Sequence, residues 1–153
     1  MKTILFVCTG NVCRSPMAVG FLREKLRQKG LEGDYEVRSV GVWALENQPA
    51  STYARQILAE RDIDISDHRG QDLTAEDVEK ADLILTMEGG QAEAIRVEFP
   101  QHAQKVHLLS EMVGRQYDIR DPYGGLVREY RQCADEIERL IEEGCSRIMQ
   151  LVG

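Results

Sequence analysis

The sequence predicts a single α/β domain with a parallel sheet, and three observations lead there. Short runs of β-branched and aliphatic residues alternate with longer stretches of helical periodicity. Those runs are apolar almost throughout rather than at every second position, which suits strands buried on both faces. The chain has 153 residues, the size of one ordinary domain, and no repeat, linker or low-complexity segment divides it. Strands alternating with helices then imply right-handed crossovers and three layers, with helices on both faces of the sheet.

The elements follow in order. Lys2–Val7 is an aliphatic run ended by Gly10-Asn11 and reads as the first strand. Pro16 opens a helix, where its missing N–H costs nothing. Met17, Phe21, Leu22 and Leu26 give that helix an apolar face as far as Gly30, the expected stop. Tyr35–Val40 is the second strand, and Gly41 to Pro49 a loop carrying Trp43. Ser51 is placed to cap a helix through Arg61 that buries Ala54, Ile57 and Leu58. Thr74-Ala75-Glu76-Asp77 has the spacing of a capping box before a short helix. Asp82–Met87 is the third strand, with a helix following near Gln91–Glu98, and Lys105–Leu109 is the fourth. Asp118–Gly125 is a Gly- and Pro-containing loop. From Leu126 a long amphipathic helix carries Tyr130, Cys133, Ile137, Leu140 and Ile141 on one side.

Composition excludes several classes. Net charge is −7 and the pI about 5.0, which argues against nucleic acid as a partner, since phosphate-backbone binding needs clustered Lys and Arg. The apolar N-terminal run is too short for a signal core, and no stretch approaches a membrane span, so a cytoplasmic protein with no membrane partner is expected. There the four cysteines, Cys8, Cys13, Cys133 and Cys145, should be reduced. None pairs at Cys-x-x-Cys spacing, and His68, His102 and His107 lie far from any of them, so neither a metal site nor a cofactor is expected.

The chemistry is concentrated where the first strand ends. Ligands of open α/β sheets bind at the carboxyl ends of strands, and that end holds Cys8-Thr9-Gly10-Asn11-Val12-Cys13-Arg14-Ser15-Pro16. Gly10 and Asn11 tolerate the positive φ of a tight loop. Successive amides in such a loop converge into an anion nest, and the following helix adds its positive dipole end. Arg14 supplies a planar fork matching two phosphate oxygens. The same field should depress the pKa of Cys8 and make it nucleophilic, with Ser15 donating to its sulfur. A cysteine ending a buried strand is ordinarily a small core residue. The conjunction of strand, Gly-Asn turn, arginine and proline-opened helix sets this one apart. Binding here depends on dipoles and one arginine, so an acidic protein can still hold a phosphate.

The run Cys8 to Ala18, together with Asp121-Pro122-Tyr123 late in the chain, closely resembles the low-molecular-weight protein-tyrosine-phosphatase family over essentially the whole sequence. The resemblance implies a four-stranded parallel sheet in the order 2-1-3-4, a cysteinyl-phosphate intermediate and no metal. It implies Cys8 as nucleophile, Arg14 as phosphate clamp and Asp121 as general acid and then base, with Thr9 to Ser15 binding phosphate. Asn11, Ser15 and Ser39 match positions that brace the loop. The implied partners are phosphorylated proteins or peptides, with inorganic phosphate or similar oxyanions at the site.

An acid is needed in any case, because expelling an alkoxide, phenolate or amine requires a proton. Asp118, on the same loop, competes with Asp121 for that role, and the family match favours Asp121. Val12, Trp43 and Tyr123 should form the substrate pocket, although a lone Trp is usually core. The apolar Val12 favours phosphotyrosine as substrate. The phosphoarginine-specific branch of the family carries Thr there, yet resembles this chain in Cys8-Thr9-Gly10-Asn11 and in Asp121 to Gly125, so phosphoarginine stands as the alternative. Cys13 packs the loop and is placed to trap oxidised Cys8 as a disulfide. Cys133 and Cys145 are expected as core and surface thiols. Arsenate reduction on the same fold needs further cysteines after the third strand, where Glu88-Gly89-Gly90-Gln91 has none. A phosphopeptide-binding module would need neither Cys8 nor Asp121.

Overall fold

The computed structural model describes residues 1–153. Its parallel sheet is formed by β1 (Lys2–Cys8), β2 (Tyr35–Gly41), β3 (Leu83–Thr86) and β4 (Val106–Leu108), in the spatial order β2-β1-β3-β4. Around it lie α1 (Arg14–Gln28), α2 (Thr52–Ala59), α3 (Ala75–Lys80), α4 (Gly89–Glu98) and α5 (Val127–Val152). The period-2 geometry of β1 sends its side chains alternately into two cores. Ile4, Phe6 and Cys8 join the larger one beneath α1, α2 and α5, while Leu5 and Val7 join a smaller one with Val78, Ala92 and Ile95 from α3 and α4. Burial on both faces is why the strands read as continuous apolar runs.

The expected elements are present with shifted ends. The first helix begins at Arg14 rather than Pro16, the third long one at Gly89, and the one after Ser51 stops at Ala59. Two short 3-10 helices, Pro100–Lys105 and Leu109–Val113, flank β4, and no periodicity signal marked them. Thr74 and Asp77 do form a capping box, each side chain accepting from the other's backbone amide. Ser51 stands at the start of α2 but does not cap it with its side chain; its hydroxyl turns instead toward Cys13 Sγ, 3.4 Å away. Cys145 is buried like Cys133, so the expected surface thiol is a core one. It follows from the pattern of α5, whose inward stripe continues past Ile141 through Gly144, Cys145 and Ile148. No helix is long and apolar enough to cross a membrane.

The order β2-β1-β3-β4 puts the chain reversal at β1, between neighbours reached by crossovers in opposite directions, which is where a ligand crevice forms. The loop after β1 is hemmed in by two others. Gly41 ends β2 beside Cys8, and a Cβ there would lie 2.4 Å from Thr9 O, so only glycine permits the approach. On the far side Ile119 N donates to Met87 O, drawing the Asp118–Gly125 loop to the end of β3.

Helix α5 reaches the sheet's flank through Gly144, where an added Cβ would sit 2.7 Å from Met112 Cβ and 3.3 Å from Met112 O. Gly144→Ala should therefore lower stability by about 1–3 kcal/mol through overpacking, seen as a reduced urea midpoint at unchanged m-value.

Candidate active site

Between β1 and α1 the chain turns through six peptide groups whose carbonyls all have partners outside the loop. Cys8 O accepts from Val42 N, Thr9 O from Trp43 N, Gly10 O from Leu45 N, Val12 O from Ser51 N and Cys13 O from Met17 N. Asn11 O lies 2.6 Å from His68 Nε2. A carbonyl oxygen only accepts, so Nε2–H is the donor, and burial pushes the His68 pKa down. No peptide bond is cis, and in a trans peptide the N–H points opposite to the C=O. Turning the carbonyls of residues 8 to 13 outward therefore turns the amides of residues 9 to 14 inward. The amides of Thr9, Gly10, Val12 and Cys13 donate to no acceptor in the protein, and Asn11 N points at Cys8 Sγ at 3.3 Å. This is an anion nest at the start of a helix.

Asn11 holds the turn at its tightest point, with φ at +60°. Fully buried, it donates through Nδ2 to Ser15 Oγ and Ser39 Oγ, both at 2.9 Å, and accepts from Gln71 N through Oδ1. Its donation to Ser15 Oγ leaves the serine hydrogen free to point at Cys8 Sγ, 2.9 Å away. The three residues expected to brace the loop are thus brought together, with His68 and Gln71 added from a neighbouring segment.

Arg14 is 1% exposed. Its Nη1 is spent on Glu88 Oε2 and, at 2.7 Å, on Ile119 O. Its Nη2 is the one buried side-chain nitrogen or oxygen with no hydrogen-bond partner. Asp121 Oδ2 stands 3.5 Å from it, too far for a hydrogen bond of ordinary geometry. Burial pushes the Cys8 thiol up, and the Ser15 hydroxyl and amide, Arg14 and the Asn11 amide pull it down. Burial prevails, which corrects the expectation of a depressed thiol. The guanidinium is the loop's one full positive charge, and Glu88 already pairs with it.

A cavity of about 190 Å³ opens over Cys8, lined by residues 8–14 with Trp43, Leu45, Asp121 and Tyr123. Val12 lines it, as expected from its place in the loop. Trp43 is 80% and Tyr123 60% exposed, so the tryptophan is a wall of the cavity mouth and not core. Asp121 is half-exposed at that mouth, its Oδ1 accepting from Tyr123 N. Asp118 lies outside the cavity and accepts from Gly89 N at 2.8 Å, so the two candidate carboxylates are separated by position. Cys13 lines the cavity too, yet its sulfur lies 3.4 Å from both Ser51 Oγ and Tyr130 OH; burial pushes the Tyr130 phenol up to about 12. All four cysteines are free thiols, and no cluster of three or more His, Cys, Asp or Glu could hold a metal ion.

Several members of the site had not been singled out in the sequence. Leu45, His68 and Gln71 carry no motif and reach the loop only through folding. Glu88 and Gln91 had a signal, because they follow the end of β3, where α/β sheets gather ligand-binding groups. Gln91 Nε2 donates to Thr9 Oγ1 and lies 3.3 Å from Glu88 Oε2. The segment from Glu88 to Gln91 thereby braces both ends of the nest.

The chain has many relatives among known proteins. A family model for low molecular weight phosphotyrosine protein phosphatase matches residues 3–151. The chain is 40% identical over 151 residues to a probable low molecular weight protein-tyrosine-phosphatase, EpsP, of Ralstonia nicotianae, with 99% of each covered. It is 42% identical over 140 residues to a protein-arginine-phosphatase of Geobacillus stearothermophilus, covering 91% of this chain and 90% of the relative. A solved structure of the YwlE arginine phosphatase, a cysteine-to-serine mutant with a phosphorylated active-site serine, superposes with a TM-score of 0.90. Its identity is 37%, with 96% of this chain and 95% of that one covered. The chain belongs to the low-molecular-weight phosphotyrosine protein phosphatase family, cysteine-dependent hydrolases that act on phosphorylated proteins.

Proposed function

We propose that this protein hydrolyses phosphotyrosine in phosphorylated proteins or peptides, with Cys8 as nucleophile, Arg14 as clamp and Asp121 as acid and base. The observation that carries the reading is Arg14 Nη2, buried without a partner beside Cys8. A cation so placed suits an oxyanion, because a buried unpaired donor is costly unless a ligand satisfies it. The inward amides and Nη2 take the non-bridging phosphate oxygens, and the helix α1 dipole adds to their field. Having lost its proton to solvent, the Cys8 thiolate attacks phosphorus from beneath while protonated Asp121 gives its proton to the departing oxygen. The S–P bond forms as the P–O bond breaks. Asp121, now a carboxylate, takes a proton from water as that water attacks the cysteinyl phosphate, releasing inorganic phosphate and the Cys8 thiolate. Ser15 and the Asn11 amide hold the sulfur's negative charge in both steps. Thr9, Gly10, Val12 and Cys13 meet the phosphate with their backbone amides, and Asn11, Ser15 and Ser39 keep the loop in shape.

Val12, Leu45, Trp43 and Tyr123 offer the leaving group an apolar and aromatic slot, which suits a phenol ring. Phosphoarginine is the second reading. Its guanidinium would find Asp121 at the mouth, and the Asp121 to Gly125 run lacks a second aromatic residue after Tyr123. The protein-arginine-phosphatase relative is as similar to this chain as the tyrosine-directed one. The reading includes a cytoplasmic, single-domain enzyme that needs no cofactor or metal and has neither nucleic acid nor membrane among its partners. The net charge of −7 and the absence of a membrane-length helix support the last two points.

Three measurements test these roles. Cys8→Ser should abolish turnover of para-nitrophenyl phosphate while vanadate or phosphate still binds in calorimetry; retained turnover would remove Cys8 from the mechanism. Asp121→Ala should reduce kcat/KM on the order of a hundredfold for aryl phosphates with poor leaving groups and much less for good ones. Equal losses across the series would mean that Asp121 is not the proton donor. Val12→Thr should move the ratio of kcat/KM for phosphoarginine over phosphotyrosine peptides upward by about tenfold, the scale of one pocket contact. A wild-type enzyme that already prefers phosphoarginine would reverse the substrate assignment.

A further inference from the structure

The loop that carries Asp121 makes few backbone hydrogen bonds near that residue. Upstream, Ser110 Oγ brackets the backbone of Tyr117, donating to its carbonyl and accepting from its amide. Ile119 follows, its side chain buried, its amide on Met87 O and its carbonyl on Arg14 Nη1. Beyond it the backbone of Arg120 and Asp121 makes no hydrogen bond within the protein; downstream, Tyr123 N donates back to Asp121 Oδ1 and Gly125 N to Pro122 O. Between the Tyr117 bracket and Asp121, where Ile119 is held by its buried side chain and its backbone, one side chain makes a hydrogen bond to another element. Asp118 Oδ1 accepts from Gly89 N, the first residue of α4.

The partner is free for a reason. Glu88 precedes α4 at the position from which a side chain would cap the helix, but its carboxylate is turned to Arg14. Gln91 Oε1 accepts from the amides of Met87 and Glu88, leaving the Gly89 amide to be met from outside the helix. A carboxylate there is favoured both by hydrogen bonding and by the helix dipole. We propose that Asp118 is a positioning residue for proton transfer, docking the loop onto α4 so that Asp121 stands over the cavity within reach of the leaving group. The proposal rests on reading Asp121 as the proton donor. Asp118 does not touch substrate; it acts through the two-residue tether to Asp121. A shift of about 1 Å at a reacting group can cost a large factor in rate, whereas the phosphate nest, held by its own bonds, keeps its shape.

The test can be made from both partners of the bond. Asp118→Ala removes the acceptor. Gly89→Pro breaks the bond from the other side: proline suits the first position of a helix and Glu88, at φ −136° and ψ 151°, already has the extended backbone that precedes proline, but the ring Cδ takes the place of the N–H and turns Asp118 away. A Cβ at Gly89 would lie 3.7 Å from Asp118 Oδ1, an ordinary contact. Both variants should lower kcat/KM for phenyl phosphate by about tenfold, the loss of one charge-assisted hydrogen bond and about 1.4 kcal/mol of barrier. Both should leave kcat/KM for 2,4-dinitrophenyl phosphate, which reports only the first chemical step, and vanadate inhibition nearly unchanged. Asp118→Asn keeps an acceptor and should recover most of the loss. In an Asp121→Ala background Asp118→Ala should have no further effect on phenyl phosphate. Losses equal for both leaving groups, or additive to Asp121→Ala, would overturn the proposal and make Asp118 a general structural contact. If Asp121→Ala alone proved insensitive to the leaving group, the underlying acid assignment would fail instead. If Asp118→Ala then showed that sensitivity, Asp118 would itself be the acid and both readings would fall.

Discussion

The site depends on the outward bonding of six successive carbonyls, from Cys8 to Cys13. A loop left to itself would scatter its peptide dipoles. Here each carbonyl is taken by a different neighbour: the strand-β2 extension, the segment around Leu45, His68, the start of α2 and the first turn of α1. Peptide planarity converts that outward satisfaction into an inward array of donors. The bracing side chains serve the same end. Asn11 spends all its polar capacity on Ser15, Ser39 and Gln71, and so holds a left-handed backbone that would otherwise be costly.

This arrangement explains how a chain of net charge −7 accommodates an anion. The field at Cys8 comes from oriented amides and a helix terminus, which are fixed and short-ranged. Arg14 adds a full charge, but Glu88 divides its attention. Nη1 belongs to the scaffold through Glu88 and Ile119, and Nη2 faces the cavity. One side chain thereby joins the nest to the loop bearing Asp121, while its other nitrogen is left without a hydrogen bond. It also explains why burial dominates at Cys8. The stabilising groups around the sulfur are dipoles and a shared cation, and they act against nearly complete removal from water.

Much of the fold was legible because its signals are local. β1 and β3 announce themselves by apolar runs, α1 by Pro16 and its period, α3 by the Thr74–Asp77 box, and α5 by its stripe from Tyr130 to Ile141. The ends were less legible. Ser51 has the residue type and position of a cap, but its hydroxyl is drawn to Cys13 across the core, a partner that no local rule contains. The 3-10 turns around β4 have no periodicity to read, and Cys145 is buried only because α5 packs along its full length.

The site divides in the same way. Cys8 to Ser15 is a contiguous motif, so the sequence by itself determined the loop, its convergent amides and the residues lining the cavity from it. Contiguity constrains geometry when eight residues span a strand end and a helix start. What lay far away in the chain was decided by tertiary structure. Asp118 and Asp121 are three residues apart and chemically alike, and only their surroundings separate them, one bonded to the end of α4 and the other at the mouth above Cys8. Leu45, His68 and Gln71 joined the site with no motif at all. Their roles come from which loops the β2-β1-β3-β4 order brings together at one edge of the sheet, and that adjacency is a property of packing between distant segments.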